Sequence, residues 1–95
     1  MTDFSHFLIA TDLDGTFLNK NGETVQRNLD AIARFNAQGG RFTLNTGRPH
    51  ITTTTSVPMA AEICNSPSSH CNGAYLYNFK TKEFFFAYGY IPIAV

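Results

Sequence analysis

Ten residues near the N-terminus, Phe7 to Thr16 (F-L-I-A-T-D-L-D-G-T), constrain the fold more than any other part of the chain. Phe7–Thr11 is mostly apolar with β-branched Ile9 and Thr11 in it, a pattern that predicts a short buried strand. Asp12 and Asp14 follow one residue apart, then Gly15 and Thr16. The strand therefore opens into a loop carrying two carboxylates, and in open α/β sheets ligands bind in the crevice beyond the carboxyl ends of the strands. Two acids this close repel unless a cation or a proton lies between them, and a hard dication with oxygen ligands suits them. Gly15 lets the backbone approach a bound group closely.

The next segments give that strand a partner. Phe17–Gly22 reads as a short excursion with a turn at Asn21-Gly22. Thr24 is placed to cap a helix, and Val25, Leu29, Ile32, Ala33 and Asn36 recur at spacings of three and four to give one mostly apolar stripe. A helix is expected from Val25 to Gln38, with Gly39 and Gly40 supplying a left-handed end. Arg41–Asn45 reads as a second strand and runs directly into Thr46-Gly47-Arg48-Pro49. Strand, helix, strand over this distance is a βαβ unit with parallel strands, so Asp12 and Thr46 are expected at the same sheet edge. There the Thr46 hydroxyl and the amides of Gly47 and Arg48 are placed to hold phosphate oxygens at a helix N-terminus.

Three readings of D-L-D-G-T compete. One is a plain turn, since Asp and Gly are common turn formers. A second is a calcium loop, with Asp12, Asp14, Thr16 and Glu23 at positions 1, 3, 5 and 12; it fails because Phe17 stands where Gly is needed and strand rather than helix precedes it. The third is a nucleophile and an acid/base pair beside a metal. On D-L-D-G-T, the following helix and strand, T-G-R-P and the later Asn72-Gly73-Ala74, the sequence resembles the haloacid dehalogenase (HAD) superfamily, in its Cof-type sugar phosphatase branch. The resemblance runs over essentially the whole chain from Phe7. It implies a magnesium-dependent phosphohydrolase of small phosphorylated metabolites that works through an aspartyl phosphate. Asp12 would be the nucleophile and Asp14 the acid/base; both would contribute to the magnesium site, and Leu13, Thr46 and Gly47 would hold the phosphoryl group. It also implies parts not found here: a cap domain, a Lys that steadies the phosphoryl group and a G-D-x-x-N-D cluster. Lys80 and Lys82 sit in a turn, and Glu62 and Glu83 lie in no suitable motif.

The expected fold class is therefore α/β: a partial Rossmann-like parallel sheet with a β-hairpin near the C-terminus, with residues 1–95 forming one incomplete core domain. In the second half, Ile51–Ser56 and Met59–Ile63 are expected as short helices around Pro58, although four consecutive threonines are poor helical material. Asn65–Ser69 reads as a loop, and Asn72 and Gly73 fit either a turn or a crevice wall. Ala74–Asn78 and Glu83–Tyr88 read as the arms of a hairpin, and the Phe84–Phe86 run wants cover on both faces. The apolar end Tyr90–Val95 is what a chain that continues would show.

Composition narrows the partners. Seven basic and seven acidic side chains give a formal net charge of zero, which argues against nucleic acid or a membrane surface as partner. No apolar run is long enough to span a bilayer and no leader pattern is present, so a cytoplasmic protein is expected. Two cysteines, Cys64 and Cys71, are too few for a disulfide scaffold and match no zinc spacing together with His70. His6 and His50 stand alone in the sequence. The alternative to an enzyme is a non-catalytic truncated module that self-associates, or pairs with a partner, through its sheet edge.

Overall fold

The structure, a computed structural model, describes residues 3–86. Strand β1 (Leu8–Thr11) lies parallel to β2 (Arg41–Leu44), in a register that pairs Leu8 with Arg41 and Thr11 with Leu44. Helix α1 (Gln26–Ala37) connects them. The expected βαβ unit is present, one residue shorter at each helix end. Thr24 is not its cap: Val25 holds that position without a side-chain bond, and its carbonyl accepts the amides of Asn28 and Leu29. The buried stripe is also turned slightly from the expected one, with Ile32 buried and Leu29 and Phe35 packed against the core, while Ala33 faces solvent. Of the two glycines after α1 only Gly39 is left-handed (φ 92°).

β2 is the strand with cover on both faces; Phe42, Thr43 and Leu44 are all buried, as an interior parallel strand demands. β1 departs from the expectation of burial. Phe7 and Leu8 are each 59% exposed and Ile9 is 45% exposed, because β1 has a partner along one edge only among the described residues. α1 roofs β1 incompletely, leaving an apolar pocket of about 260 Å³ whose walls include Ile9, Thr11, Phe17, Ile32 and Phe42.

Beyond β2 come two short helices, α2 (His50–Ser56) and α3 (Ala60–Ile63), then an antiparallel sheet in the order β3 (Ser68–His70), β4 (Tyr75–Tyr77), β5 (Phe84–Phe86). The hairpin is as expected, closed by Lys82 N–H to the Asn78 carbonyl (2.7 Å) and by the Asn78 carboxamide accepting the amides of Lys80 and Thr81. Ser68 and Ser69 are strand rather than loop. Their backbone pairs with Tyr77 and Leu76, Ser69 bridges in parallel to Asn45, and the Ser68 hydroxyl shares a 3.0 Å bond with that of Thr43. The expected cover over Phe84 and Phe85 is incomplete, with 45% and 42% exposed. Ala87–Tyr88 of the second hairpin arm, and Tyr90–Val95, lie outside the described residues. Among the described residues no helix is long and apolar enough to cross a membrane.

Candidate functional site

β1 and β2 end side by side. The Asn45 amide donates to the Thr11 carbonyl at 2.9 Å, so the chain leaves one strand as Asp12 and the other as Thr46 at the same end of the pair. After Asp12 the backbone makes a kinked turn over Leu13–Phe17, closed by Phe17 N–H to the Asp12 carbonyl (3.3 Å) and Leu18 N–H to the Leu13 carbonyl (2.9 Å). Leu13 and Phe17 point into the core while Asp12, Asp14, Gly15 and Thr16 face out. Alternation of one buried leucine between two exposed carboxylates thus anchors the loop and presents the acids. Gly15 has φ 75°, and a Cβ there would meet nothing within 4 Å; conformation rather than space calls for glycine.

On the second loop Thr46 is buried, and its hydroxyl oxygen accepts the Arg48 amide at 3.1 Å. A hydroxyl used as an acceptor keeps its own proton to donate. The expected cradle is narrower than the sequence implied. The Arg48 amide is engaged by Thr46, Pro49 has none to give, and the first amide of α2, at His50, donates to the Tyr75 hydroxyl (2.9 Å). The first amide of the helix is therefore already engaged, and Gly47 is the amide flanking Thr46. A Cβ on Gly47 would come 3.1 Å from the Asn72 Oδ1. Asn72 stands there because Cys71, Asn72 and Gly73 are all left-handed (φ 52°, 56° and 90°). That turn also returns the Asn72 amide to the Thr46 carbonyl at 3.2 Å. Of the two alternatives for Asn72-Gly73 the turn is what forms, and the Asn72 side chain borders the loop of Thr46 and Gly47.

The two loops are joined by Arg48. Its Nε donates to Asp14 Oδ2 at 2.9 Å, its Nη2 to Asp14 Oδ1, and its Nη1 to the Ser56 hydroxyl of α2 at 2.6 Å. The carboxylate fork raises the Arg48 pKa further above its ordinary value. Sequence reasoning assigned Arg48 a role for its amide only and set His70 aside as a metal ligand; it placed no role on the Arg48 side chain, Ser56 or Tyr75. The advance signal for Arg48 was its position two residues after Thr46.

Behind this loop lies an aromatic wall. His70 is fully buried, and its Nδ1 donates to the Arg48 carbonyl at 3.1 Å; a carbonyl only accepts, so the Nδ1 nitrogen carries the proton. Among the described residues its Nε2 is buried with no partner, and burial pushes the imidazole pKa down, with nearby His50 adding to the effect. His50 is not alone either, stacking on Tyr77 at 4.3 Å and sharing a 2.7 Å bond between its Nδ1 and the Tyr75 hydroxyl. Cys64 and Cys71 are free thiols, and burial pushes Cys64 up to about 11.

Carboxylate and carbonyl oxygens are the donors that magnesium takes. Asp12 offers an exposed carboxylate in this arrangement, whereas the Asp14 carboxylate is engaged by Arg48. Among the described residues no three His, Cys, Asp or Glu side chains gather to hold a metal. The residues present fit such an ion by donor type and supply only part of a coordination shell.

An α/β unit with an acid pair after one parallel strand and a buried threonine after its neighbour has the Rossmann-type arrangement of an α/β core. The chain belongs to the haloacid dehalogenase-like hydrolases, whose family pattern matches residues 9–91. It is 33% identical over 75 residues to the pyridoxal phosphate phosphatase YbhA of Escherichia coli K12, covering 79% of this chain and 27% of that protein. A haloacid dehalogenase-like hydrolase from Bacteroides thetaiotaomicron superposes with a TM-score of 0.68 at 31% identity, over 84% of this chain and 30% of its own. Another from B. subtilis does so at 0.70 and 26% identity, over 83% and 27%. The chain thus spans less than a third of the length of these relatives.

Proposed function

We propose that this chain carries the nucleophile half of a phosphohydrolase acting on small phosphorylated metabolites. The observation that carries the reading is the bond from Asn45 to Thr11, which sets the acid loop and the Thr46 loop at one end of a parallel strand pair. An Asp12 carboxylate oxygen attacks phosphorus, and the bond from phosphorus to the leaving oxygen breaks, giving an aspartyl phosphate. Asp14 in its protonated form gives the leaving oxygen its proton, then takes one from the water that cleaves the intermediate. The Thr46 hydroxyl and the amides of Leu13 and Gly47 hold the phosphoryl oxygens, and such positioning dominates phosphoryl transfer. The Asp12 carboxylate and the Asp14 carbonyl would hold magnesium, which supplies charge neutralisation between carboxylate and phosphate. A cytoplasmic location and a single incomplete core domain belong to this reading. The likeness to a pyridoxal phosphate phosphatase supports a phosphomonoester as substrate.

A second reading rests on a different observation, the exposed apolar strand β1. It makes the chain a non-catalytic module that associates with a second copy, or with a partner, through that strand.

The test is hydrolysis of a small aryl phosphate with magnesium, run beside Asp12→Asn. Slow turnover that Asp12→Asn removes supports the first reading. Turnover unchanged in Asp12→Asn, or none even at high protein concentration, favours the second.

A further inference from the structure

Arg48 is held more firmly than a residue between a threonine and a helix requires. Its amide is tied to Thr46 Oγ1 (3.1 Å), and its carbonyl accepts both His70 Nδ1 (3.1 Å) and the Cys71 amide (3.3 Å). With the backbone pinned, the guanidinium reaches across to the other loop and takes both oxygens of Asp14, while Ser56 accepts the remaining Nη1 donor at 2.6 Å. A two-pronged guanidinium grip fits a carboxylate and a phosphate equally well. The side chains are 31% and 57% exposed, and ion pairs so open to water add little stability and exchange readily.

We propose that Arg48 is a counter-ion shared between Asp14 and phosphate. In the empty chain its fork grips both oxygens of Asp14; a phosphate group arriving at Thr46 and Gly47 takes over the same fork and releases the Asp14 side chain. Ser56 keeps the guanidinium in place throughout the exchange. Arg48 is on this account both a phosphate ligand and the positioning residue of Asp14, and the inference rests on the phosphohydrolase reading.

The experiment is a four-way comparison of the full chain, Asp14→Asn, Arg48→Ala and the double variant. Inorganic phosphate is titrated in the presence of a metal chelator and followed by amide and arginine Nε–H resonances, with the amide spectra also confirming the fold. Asp14→Asn should tighten phosphate more when Arg48 is present than when it is alanine, by at least about threefold, the smallest coupling such cycles resolve well. The Arg48 Nε–H signal should be sharp in the phosphate-free chain, broaden in Asp14→Asn and sharpen again in that variant as phosphate saturates. An equal gain in both backgrounds, or a signal that phosphate fails to restore, overturns the shared counter-ion while leaving phosphate binding intact. No phosphate binding by any of the four overturns the phosphate reading itself, and this inference with it.

Discussion

At Gly40 one hydrogen atom in place of a methyl group lets α1 meet β2. A Cβ there would lie 2.4 Å from the Phe35 ring, and that ring packs against the core. Gly40→Ala should lower unfolding free energy by roughly 1–3 kcal/mol, the usual cost of overpacking, readable from a denaturant midpoint at constant slope. Gly39, its neighbour, is glycine for its left-handed backbone instead; the sequence pair could not reveal that its members serve different ends. His70 supplies a pH prediction. Burial places its folded pKa below the ordinary 6.5. Below that value the unfolded chain takes up a proton that the folded chain refuses, so stability is full above about pH 6.5 and is lost as pH falls through the folded pKa. Within that window the slope cannot exceed about 1.4 kcal/mol per pH unit, one proton's worth. Unfolding curves taken on lowering pH from about 7 should show stability falling, and His70→Gln should lack that fall. The candidate residues Asp12, Asp14 and Thr46 were legible because strand ends and acid pairs leave a local pattern. The fork of Arg48 on Asp14 was not, since it joins residues 34 apart in sequence through side chains alone.

Among the elements, the least expected is the segment that edges β2. Asn65 imitates a strand with its side chain: its Oδ1 accepts the Phe42 amide (2.8 Å), its Nδ2 donates to the Gly40 carbonyl (2.9 Å), and its own amide donates to the Phe42 carbonyl (3.1 Å). Asn65→Ala leaves the Phe42 amide without a partner in a part-buried setting and should destabilise by about 1–3 kcal/mol; Asn65→Asp restores one acceptor and should fall between. A loop-forming composition hid this role, because the pairing is made by a carboxamide rather than a backbone run. Helix α2 was legible in place and weak in propensity. Thr52 and Thr53 bond back to the Pro49 carbonyl, Thr54 to His50 and Thr55 to Ile51, so the hydroxyls satisfy carbonyls within the helix itself. The βαβ unit was readable to within a residue or two because periodicity and glycine punctuation agree there. β3 was missed because three short polar residues carry no period, and its strand state comes from neighbours distant in sequence.

For the molecule as a whole, the strand that leads into Asp12 is poorly covered. An apolar run with one hydrogen-bonded edge and exposed Leu8 and Ile9 is a template for further pairing. Sedimentation should therefore show association that rises with concentration, and Ile9→Lys should weaken it; a monodisperse monomer of high cooperative stability would contradict this. Activity follows the same incompleteness. The chain spans 27–30% of its relatives, and among the described residues no three His, Cys, Asp or Glu side chains gather into a metal site. Losing such transition-state contacts should slow aryl phosphate hydrolysis by at least about a thousandfold relative to an ordinary enzyme. Turnover at ordinary enzymatic rates, abolished by Asp12→Asn, would show that this half suffices. The most direct test of the central claim, that the acid loop and the Thr46 loop form one phosphate site, is the amide spectrum of the chain titrated with inorganic phosphate and magnesium. The account predicts shifts that move together with one affinity at Leu13–Thr16 and at Thr46–Arg48, and that disappear in Thr46→Val. Shifts in only one of the two loops, or with unrelated affinities, would contradict it.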